Sequence, residues 1–362
     1  MESSSGVHPL AQTDAARGTE TPDRPLLAVL GGERRDPLPV WLMRQAGRYL
    51  PEYRSLRASK GGFLALVNDS DAAAEITLQP IERFGFDGAI LFSDILVIPH
   101  ALGQDLRFEA GEGPRLSPAL VDHRLDGLAR VPERLAPIYE TVRKVAARLP
   151  AATTFLGFAG SPWTVATYMV AGQGSREQAE TRRMAYRDPA AFAAIIDAVT
   201  DLTVDYLAGQ IAAGVHAVQL FDSWAGSLPP SQFERWVIAP TERIVRELRA
   251  RCGGVPIIGF PKGAGGKLPA YARESGVNAI GLDETVDPRW ADASLPMAMP
   301  VQGNLDPLAL IAGGGTLDRA VDTIRRAFPE RPHIFNLGHG IQQDTPIAHV
   351  ERLLARLRGG KP

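Results

Sequence analysis

The chain has 362 residues, of which 45% are hydrophobic and 22% are charged, with 39 basic and 41 acidic side chains. This composition is typical of a globular protein with a large apolar core. The formal net charge of −2 gives no overall attraction to nucleic acid or to an anionic membrane surface. We therefore expect neither nucleic acid nor a membrane as a partner.

The first 24 residues are polar and rich in Ser, Thr, Gly, Asp and Pro. They contain no apolar signal core, and their composition predicts a disordered tail. No later stretch reaches about 18 uninterrupted apolar residues, which is the length that a membrane span requires. We therefore predict a folded region over residues 25–362 and no membrane-spanning segment.

Eight short apolar runs follow, and most of them precede a segment with helical periodicity. The runs are Val40–Met43, Gly88–Phe92, Thr154–Phe158, Ala217–Phe221, Pro256–Phe260, Ala279–Leu282, Met299–Val301 and His333–Leu337. Near-continuous apolar strands that alternate with helices predict a parallel sheet buried on both faces. Eight such units predict an α/β fold of one domain, a (β/α)8 TIM barrel with its active site at the C-terminal mouth.

The segments between the runs carry ordinary helix signals. Asp188 and Pro189 begin a long apolar pattern that ends at Gly214, and residues 129–149 form a second pattern that ends before Pro150. The fifth, sixth and seventh runs are only about 20 residues apart, which is short for a full strand and helix. We therefore predict a short or irregular helix in that part of the chain.

Polar side chains lie just beyond each of the eight runs. They are Arg44 and Arg48, Asp94, Ser161 to Tyr168, Asp222 and Ser223, Lys262, Asp283, Gln302 and Asn304, and His339. The carboxyl ends of parallel barrel strands meet at one mouth, so these side chains are expected to converge there. The alternative is that each polar residue only ends its own strand, which is harder to sustain for eight strands than for one.

Arg44 and Arg48 follow the first run, with Gly47 between them to permit an irregular backbone near a ligand. Arginine presents a planar fork of donors that suits carboxylate or phosphate, and two arginines within five residues can hold a polyanion. The alternative is a solvated basic turn. We favour the binding role because Arg44 comes directly after a buried strand.

Asp94 ends the sequence AILFSD and precedes the apolar sequence ILVIPHALG. A carboxylate in such surroundings needs hydrogen-bond donors or a cation, because burial alone raises its pKa. The alternative is an N-cap for the next helix. Asp94 is therefore a candidate for a buried functional acid.

The remaining candidates are individually weak. Tyr168 lies on a predicted helix and is as compatible with the core as with a ligand contact, and a serine such as Ser223 at a strand end often caps a helix. A serine hydrolase built from Ser223, His339 and Asp94 is disfavoured, because no serine lies within a G-x-S-x-G motif. A Walker phosphate loop is also absent from FPKGAGGK.

Cofactor and metal signatures are missing as well. Cys252 is the only cysteine, which excludes an intrachain disulfide and a cysteine-rich metal site and favours the cytoplasm. H-E-x-x-H and the glycine fingerprint for dinucleotides are also absent. We therefore predict no metal and no organic cofactor.

Several long segments together resemble one known family. MRQAGRYLPEYR and GFAGSPWTVATYMVAG resemble the two signature segments of the uroporphyrinogen decarboxylase family. FSDILVIPHALG, LFDSWAG, FPKGAG, VQGNLDP and FNLGHGI are similar to further segments of that family in the same order. The similarity extends over residues 25 to 355, roughly the whole predicted fold.

The resemblance implies a single barrel domain, usually a homodimer, that acts without metal or organic cofactor. Its reaction removes the four acetate carboxyls of uroporphyrinogen III, a tetrapyrrole, to give coproporphyrinogen III in haem biosynthesis. The family's substrate-binding residues fall on Arg44, Gln45, Ala46, Gly47, Arg48, Asp94, Tyr168, Ser223 and His339. The resemblance assigns the catalytic role to Asp94 and Arg44, and it leaves the proton donor and the order of the four steps open.

Two other functions are possible for a chain with these features. A corrinoid methyltransferase of the same barrel superfamily would activate a thiol on zinc, but Cys252 precedes the fifth run and lacks partners at ligand spacing. A non-catalytic tetrapyrrole carrier would need the arginines without a buried Asp94. The decarboxylase remains the predicted function.

Overall fold

The computed structural model describes residues 22–109, 113–121, 125–175 and 177–359. Residues 1–21, most of the predicted tail, lie outside the described residues, so the prediction of disorder remains untested. Among the described residues, no helix is long and apolar enough to cross a membrane.

Nine short strands are present among the described residues, and most of them form a parallel sheet at the centre of the molecule. The strands are β1 (Gly88–Ile90), β2 (Asp105–Glu109), β3 (Gly113–Ser117), β4 (Thr154–Gly160), β5 (Ala217–Asp222), β6 (Ile257–Pro261), β7 (Ala279–Gly281), β8 (Val301–Gln302) and β9 (His333–Ile334). Seven of them form one sheet in the order β1-β4-β5-β6-β7-β8-β9, with every neighbouring pair parallel. β2 and β3 form a separate antiparallel pair that the sequence did not predict.

The first apolar run closes the sheet, although it is reduced to a single β-bridge. Val40 pairs in parallel with Phe335, directly after β9. On the other side, the carbonyl of Val40 accepts a hydrogen bond from the N–H of Asp87 at 2.9 Å, just before β1. The predicted barrel is therefore confirmed, with a first unit that is less regular than the sequence suggested.

Helices surround the sheet. They are α1 (Pro25–Leu30), α2 (Pro51–Lys60), α3 (Phe63–Asn68), α4 (Ser70–Phe84), α5 (Val97–Ala101), α6 (Ala136–Ala146), α7 (Pro162–Ala171), α8 (Ala179–Arg187), α9 (Pro189–Ala213), α10 (Pro230–Phe233), α11 (Ala239–Cys252), α12 (Leu268–Glu274), α13 (Pro288–Ser294), α14 (Pro307–Ala312), α15 (Gly314–Ala327) and α16 (Ile347–Leu357). A π-helical turn, Glu234–Ile238, joins α10 to α11.

The predicted bounds of the long helix α9 are confirmed, whereas the pattern over residues 129–149 gives a shorter helix, α6. The Asp188 carboxylate accepts a hydrogen bond from the N–H of Ala191 at 3.0 Å and caps α9, and Pro189 is its first residue. Gly214 ends α9 with φ of 124°, a conformation that glycine adopts without strain. α12 and α13, which lie between the closely spaced runs, have only seven residues each.

A buried polar chain crosses the barrel interior. The indole N–H of Trp41 donates to Oε1 of Gln302 at 2.9 Å, and Nε2 of Gln302 donates to Oε1 of Gln219 at 3.1 Å. Trp41 lies in the first apolar run, Gln302 in β8 and Gln219 in β5, which are separate strands of the closed sheet. The three side chains can meet only inside the barrel, so the interior is packed and any ligand must enter at an end.

Candidate active site

The C-terminal ends of the strands bring together most of the predicted site residues. Arg44 follows the first apolar run, which closes the sheet, and Asp94 follows β1. Tyr168 lies on α7 after β4, and His339 follows β9. The charge of Arg44 acts on the pKa of Asp94, of Tyr168 and of His339. Arg44 therefore lies at the centre of a group of residues that four different strand units supply.

Two loops are joined around Arg44. Oδ1 of Asn336 accepts a hydrogen bond from the N–H of Met43 at 2.9 Å, and the carbonyl of Met43 accepts one from Ile341 at 2.8 Å. A β-carbon at Gly340 would come within 2.3 Å of Cδ of Arg44, so the arginine side chain crosses directly over that glycine. The absence of a side chain at Gly340 thus makes room for Arg44 beside His339.

The backbone conformation of this loop differs from the expectation. Gly47 was expected to supply the irregular backbone, but it is Arg44 itself that has a left-handed φ of 61°. A β-carbon at Gly47 would instead lie 2.9 Å from the carbonyl oxygen of Arg44, so the glycine permits a close approach. Non-glycine residues seldom adopt this conformation, and they do so mostly where the surrounding contacts enforce it.

Gln45, Ala46 and Arg48 complete this segment. The Gln45 side chain is buried, accepts a hydrogen bond from the N–H of Leu42 at 3.0 Å and donates to the carbonyl of Gly88 at 3.0 Å. It therefore fixes the loop, and Ala46 packs against the core. Arg48 is exposed, and no hydrogen bond or ion pair engages its guanidinium among the described residues.

Asp94 is half-buried and engages the backbone with one oxygen. Its Oδ1 accepts a hydrogen bond from the N–H of Leu96 at 2.8 Å and so fixes a local turn before α5. The N-cap residue of α5 is Leu96, so Asp94 is not the N-cap of the next helix. Within the described part of the chain, no group donates a hydrogen bond to the second oxygen. Burial raises the pKa of Asp94, while the Leu96 N–H and the charge of Arg44 oppose that rise. The carboxyl group thus retains an acceptor for a ligand.

Tyr168 and Ser223 supply hydroxyl groups to the same region. Burial raises the pKa of Tyr168 and the charge of Asp94 adds to the rise, whereas Trp224 and the charge of Arg44 oppose it. The phenol therefore keeps its proton and can donate a hydrogen bond. Ser223 is half-buried directly after β5, and its hydroxyl makes no hydrogen bond with the described residues.

Sequence reasoning missed the residue that joins the two segments carrying Tyr168 and Ser223. Thr164 lies one helical turn before Tyr168, donates a hydrogen bond to Oδ1 of the buried Asp222 and accepts one from the N–H of Trp224 at 3.1 Å. The network joins α7 to the end of β5. Burial raises the pKa of Asp222 to about 7. The signal in the sequence is Asp222, a polar residue at the end of a predicted strand.

His339 lies among positive charges. Its pKa is lowered to about 4, mainly by burial and also by the charges of Arg44 and Lys262, whereas Asp283 opposes them. Asp283 is buried and its Oδ2 accepts a hydrogen bond from the N–H of Gly263 at 2.8 Å, so it shapes the loop after β6. The imidazole is consequently neutral at pH 7 in the absence of a ligand.

The mouth can therefore bind an anion with several carboxylates around one central acid. Among the described residues, no group of three or more His, Cys, Asp or Glu side chains could hold a metal ion. Cys252 is the last residue of α11, just before β6, and so lies at the end of the barrel opposite the mouth. The zinc site of the methyltransferase alternative has no counterpart in this described arrangement.

Comparison with known sequences gives one consistent result. The profile of the uroporphyrinogen decarboxylase family matches residues 21–359. The chain belongs to this family. A uroporphyrinogen decarboxylase from Rhizorhabdus wittichii is 78% identical over 345 residues, covering 95% of this chain and 100% of the relative. Another, from Sphingopyxis alaskensis, is 73% identical and covers 92% of this chain and 98% of the relative.

Solved structures of other proteins share the fold. A methyltransferase from Methanosarcina mazei aligns with a TM-score of 0.75 at 16% identity, over 92% of this chain and 97% of its own. A B12-independent methionine synthase from Shewanella sp. W3-18-1 gives a TM-score of 0.53 at 11% identity, over 81% of this chain and 86% of its own. At this level of identity the likeness concerns the barrel alone, because one fold supports many chemistries.

Proposed function

We propose that this chain converts uroporphyrinogen III to coproporphyrinogen III by removing its four acetate carboxyls. Family membership and high identity to named decarboxylases over nearly the whole chain support the reaction. The observation that carries the proposal is the position of Asp94, whose free oxygen lies near Arg44 and Tyr168 at the barrel mouth. The enzyme is then a carboxy-lyase of porphyrin biosynthesis.

The chemistry requires a place for the electrons of the broken bond. Protonation of the pyrrole carbon next to the acetate-bearing carbon makes the ring an iminium-like cation. The bond to the carboxylate then breaks, CO2 leaves, and its electron pair enters the ring. The side-chain carbon takes up a proton and becomes a methyl group, while the ring carbon loses the proton that it gained.

Asp94 stabilises that cation in the proposed mechanism. Its free oxygen accepts hydrogen bonds from the inward-pointing pyrrole N–H groups, which carry the developing positive charge. The Leu96 N–H holds the carboxyl group in place before the substrate arrives. Binding and transition-state stabilisation thus use one side chain.

The other site residues hold the carboxylates of the macrocycle. Arg44 and Arg48 bind them as bidentate donors. Arg44 also orients the reacting acetate and relays a proton, since an arginine side chain holds its proton too tightly to act as an ordinary acid. Tyr168, Ser223 and His339 donate hydrogen bonds that determine which acetate faces the reactive position. Gln45, Ala46 and Gly47 support the loop that presents both arginines.

We also propose that the enzyme is a cytoplasmic homodimer that needs neither metal nor organic cofactor. The lone cysteine supports a reducing compartment, and the family resemblance supports the dimer. Light scattering of the purified chain tests the dimer. Activity that survives removal of metals with a chelator tests the independence from metal.

A direct assay tests the reaction. The purified protein is incubated with uroporphyrinogen III under reducing, anaerobic conditions, and the products are oxidised and separated by carboxylate number. We expect intermediates with seven, six and five carboxyls, followed by coproporphyrinogen. Binding without loss of CO2 would favour the carrier alternative, and stoichiometric zinc with no decarboxylation would favour the methyltransferase.

A further inference from the structure

Lys262 is a cation at the mouth to which the mechanism above gives no role. It directly follows β6, and its backbone is fixed because its N–H donates to the carbonyl of Asp222 at 3.0 Å and its own carbonyl accepts from Gly226 at 2.9 Å. The side chain is 27% exposed. Lys262 is thus a partly desolvated ammonium group on a fixed backbone at the active end of the barrel.

The side chain of Lys262 has a weak partner. Nζ lies 3.8 Å from Oε1 of Glu284, which is an ion pair longer than a hydrogen bond. Oε2 of Glu284 is buried and has no hydrogen-bond partner among the described residues. The backbone of Glu284 is held close to the His339 loop, since a β-carbon at Gly338 would lie 2.2 Å from the Glu284 nitrogen. Lys262, Glu284 and His339 therefore meet on one side of the mouth.

A second lysine in the same loop, Lys267, has a structural role and serves as a comparison for Lys262. Nζ of Lys267 donates to the carbonyls of Gly226 at 3.2 Å and Leu228 at 2.8 Å, and it lies 5.2 Å from the ring centre of Phe233. Its donors are used to hold the chain. The ammonium group of Lys262 donates no hydrogen bond to the described residues, although the Lys262 and Lys267 side chains are buried to a similar degree.

We propose that Lys262 binds a carboxylate of the tetrapyrrole as a third cation of the site, and that Glu284 competes with that carboxylate for it. This inference rests on the proposed function, because it needs a substrate with more carboxylates than Arg44 and Arg48 can engage. A substrate carboxylate that displaces Glu284 forms the short, charge-assisted hydrogen bond that the 3.8 Å pair lacks. Lys262 and Glu284 together then set the affinity for the substrate.

Steady-state kinetics of two opposing variants test this inference. Lys262→Met should raise KM for uroporphyrinogen III about tenfold, the value for one charge-assisted hydrogen bond at a partly exposed site, with kcat little changed. Glu284→Gln should lower KM about threefold, because a partly exposed ion pair that competes with the substrate is removed. In Lys262→Met/Glu284→Gln, KM should match that of Lys262→Met alone, since Glu284 acts through Lys262.

Controls separate charge from folding. Lys262→Arg keeps the charge and should keep KM near the wild-type value. Lys144→Met removes a lysine that pairs with Asp71 at 2.6 Å on the outer helices, and should leave KM unchanged. Circular dichroism shows that each variant is folded. An unchanged KM in folded Lys262→Met would overturn the inference, and an unchanged KM in Glu284→Gln would overturn the competing role of Glu284.

Binding measurements separate this inference from the proposed function. If the wild type does not decarboxylate, the proposed function fails. The affinities of Lys262→Met and of the wild type for uroporphyrin, the oxidised macrocycle with eight carboxylates, can still be compared. Equal affinities would then overturn the inference by itself. Coproporphyrin, which retains only propionates, identifies the group bound. Weakened binding of both porphyrins by Lys262→Met indicates a propionate, and weakened binding of uroporphyrin alone indicates an acetate.

Discussion

The two ends of the barrel use arginine in opposite ways. At the end opposite the mouth, the side chain of Arg331, just before β9, is 0% exposed. Its guanidinium donates to Oδ1 of Asp292 at 2.8 Å and to the carbonyls of Pro296, Met299, Asp292 and Leu295. At the mouth, the guanidinium groups of Arg44 and Arg48 make no hydrogen bond or ion pair with the described residues.

The difference shows how one residue type serves stability at one end and binding at the other. A buried cation is tolerated only when its donors are satisfied, and Arg331 uses them to close the turn between α13 and β8. The mouth arginines instead leave their donors to solvent until an anion arrives. Barrel enzymes in general keep stability at the N-terminal end of the strands and chemistry at the C-terminal end.

The largest effect is expected from the acid at the mouth. Asp94→Ala should lower kcat at least about 1,000-fold, because the preorganised acceptor for the cationic intermediate is lost. Asp94→Asn should be nearly as inactive, although its amide oxygen can still accept the Leu96 N–H that Oδ1 of Asp94 accepts. Turnover of uroporphyrinogen III measures both effects, and thermal unfolding shows that the fold is kept. Near-normal turnover in either folded variant contradicts the proposed role of Asp94.

At the opposite end, Arg331→Met should reduce stability and spare the chemistry. The substitution leaves the carbonyls of α13 and its following turn without donors, which should lower the free energy of unfolding by about 3 kcal/mol. Urea unfolding measures that change. The value of kcat/KM per folded molecule should stay at the wild-type level, and a tenfold loss of kcat/KM in the folded variant would break the division between the two ends.

A smaller effect is expected from the exposed arginine at the mouth. Arg48→Ala should raise KM about tenfold, as expected for one charge-assisted contact with a carboxylate, and leave the urea midpoint unchanged. Arg143→Ala is the matched control, because Arg143 is an exposed arginine on the outer helix α6 that pairs with Glu140 at 2.7 Å, and its loss should leave KM unchanged. An unchanged affinity in Arg48→Ala would support the solvated basic turn that the sequence left open.

The sequence predicted the regular part of the fold well. Seven of the eight apolar runs overlap a strand of the parallel sheet, because a strand buried on both faces must be nearly continuous in apolar residues. The antiparallel pair of β2 and β3 was missed. Its strands carry alternating polar residues such as Asp105, Arg107 and Arg115, which lack the apolar run that marked the barrel strands.

The sequence predicted which residues form the site better than it predicted their geometry. Strand ends identified Asp94 and His339, because topology alone brings the carboxyl ends of parallel strands together. The left-handed backbone of Arg44 was not predictable, since only contacts distant in sequence, such as Met43 with Asn336, enforce it. Arg331 was missed for the same reason. Its partners are mainly backbone carbonyls, which no side-chain pattern reveals.

Two histidines provide the finest test of the contrast between the ends. Burial lowers the pKa of His333 and of His339 to about 4. His333 lies in β9, where its Nε2–H donates to the carbonyl of Gly303 at 2.6 Å, away from any expected ligand. His339 lies beside Arg44 and Lys262, whose charges a bound polyanion would neutralise. A ligand should therefore raise the pKa of His339 and leave that of His333 unchanged.

The sign of the pH dependence follows from that difference. A group whose pKa rises on binding takes up a proton with the ligand, so the affinity for uroporphyrin should increase as the pH falls from 7 to 6. His339→Asn should abolish most of this increase. NMR titration of the two imidazoles, with and without uroporphyrin, measures the cause directly, and the His333 resonance serves as the internal reference. Equal shifts at both histidines would mean that the ligand acts through the whole fold, and the separation between a stabilising end and a binding end would not hold.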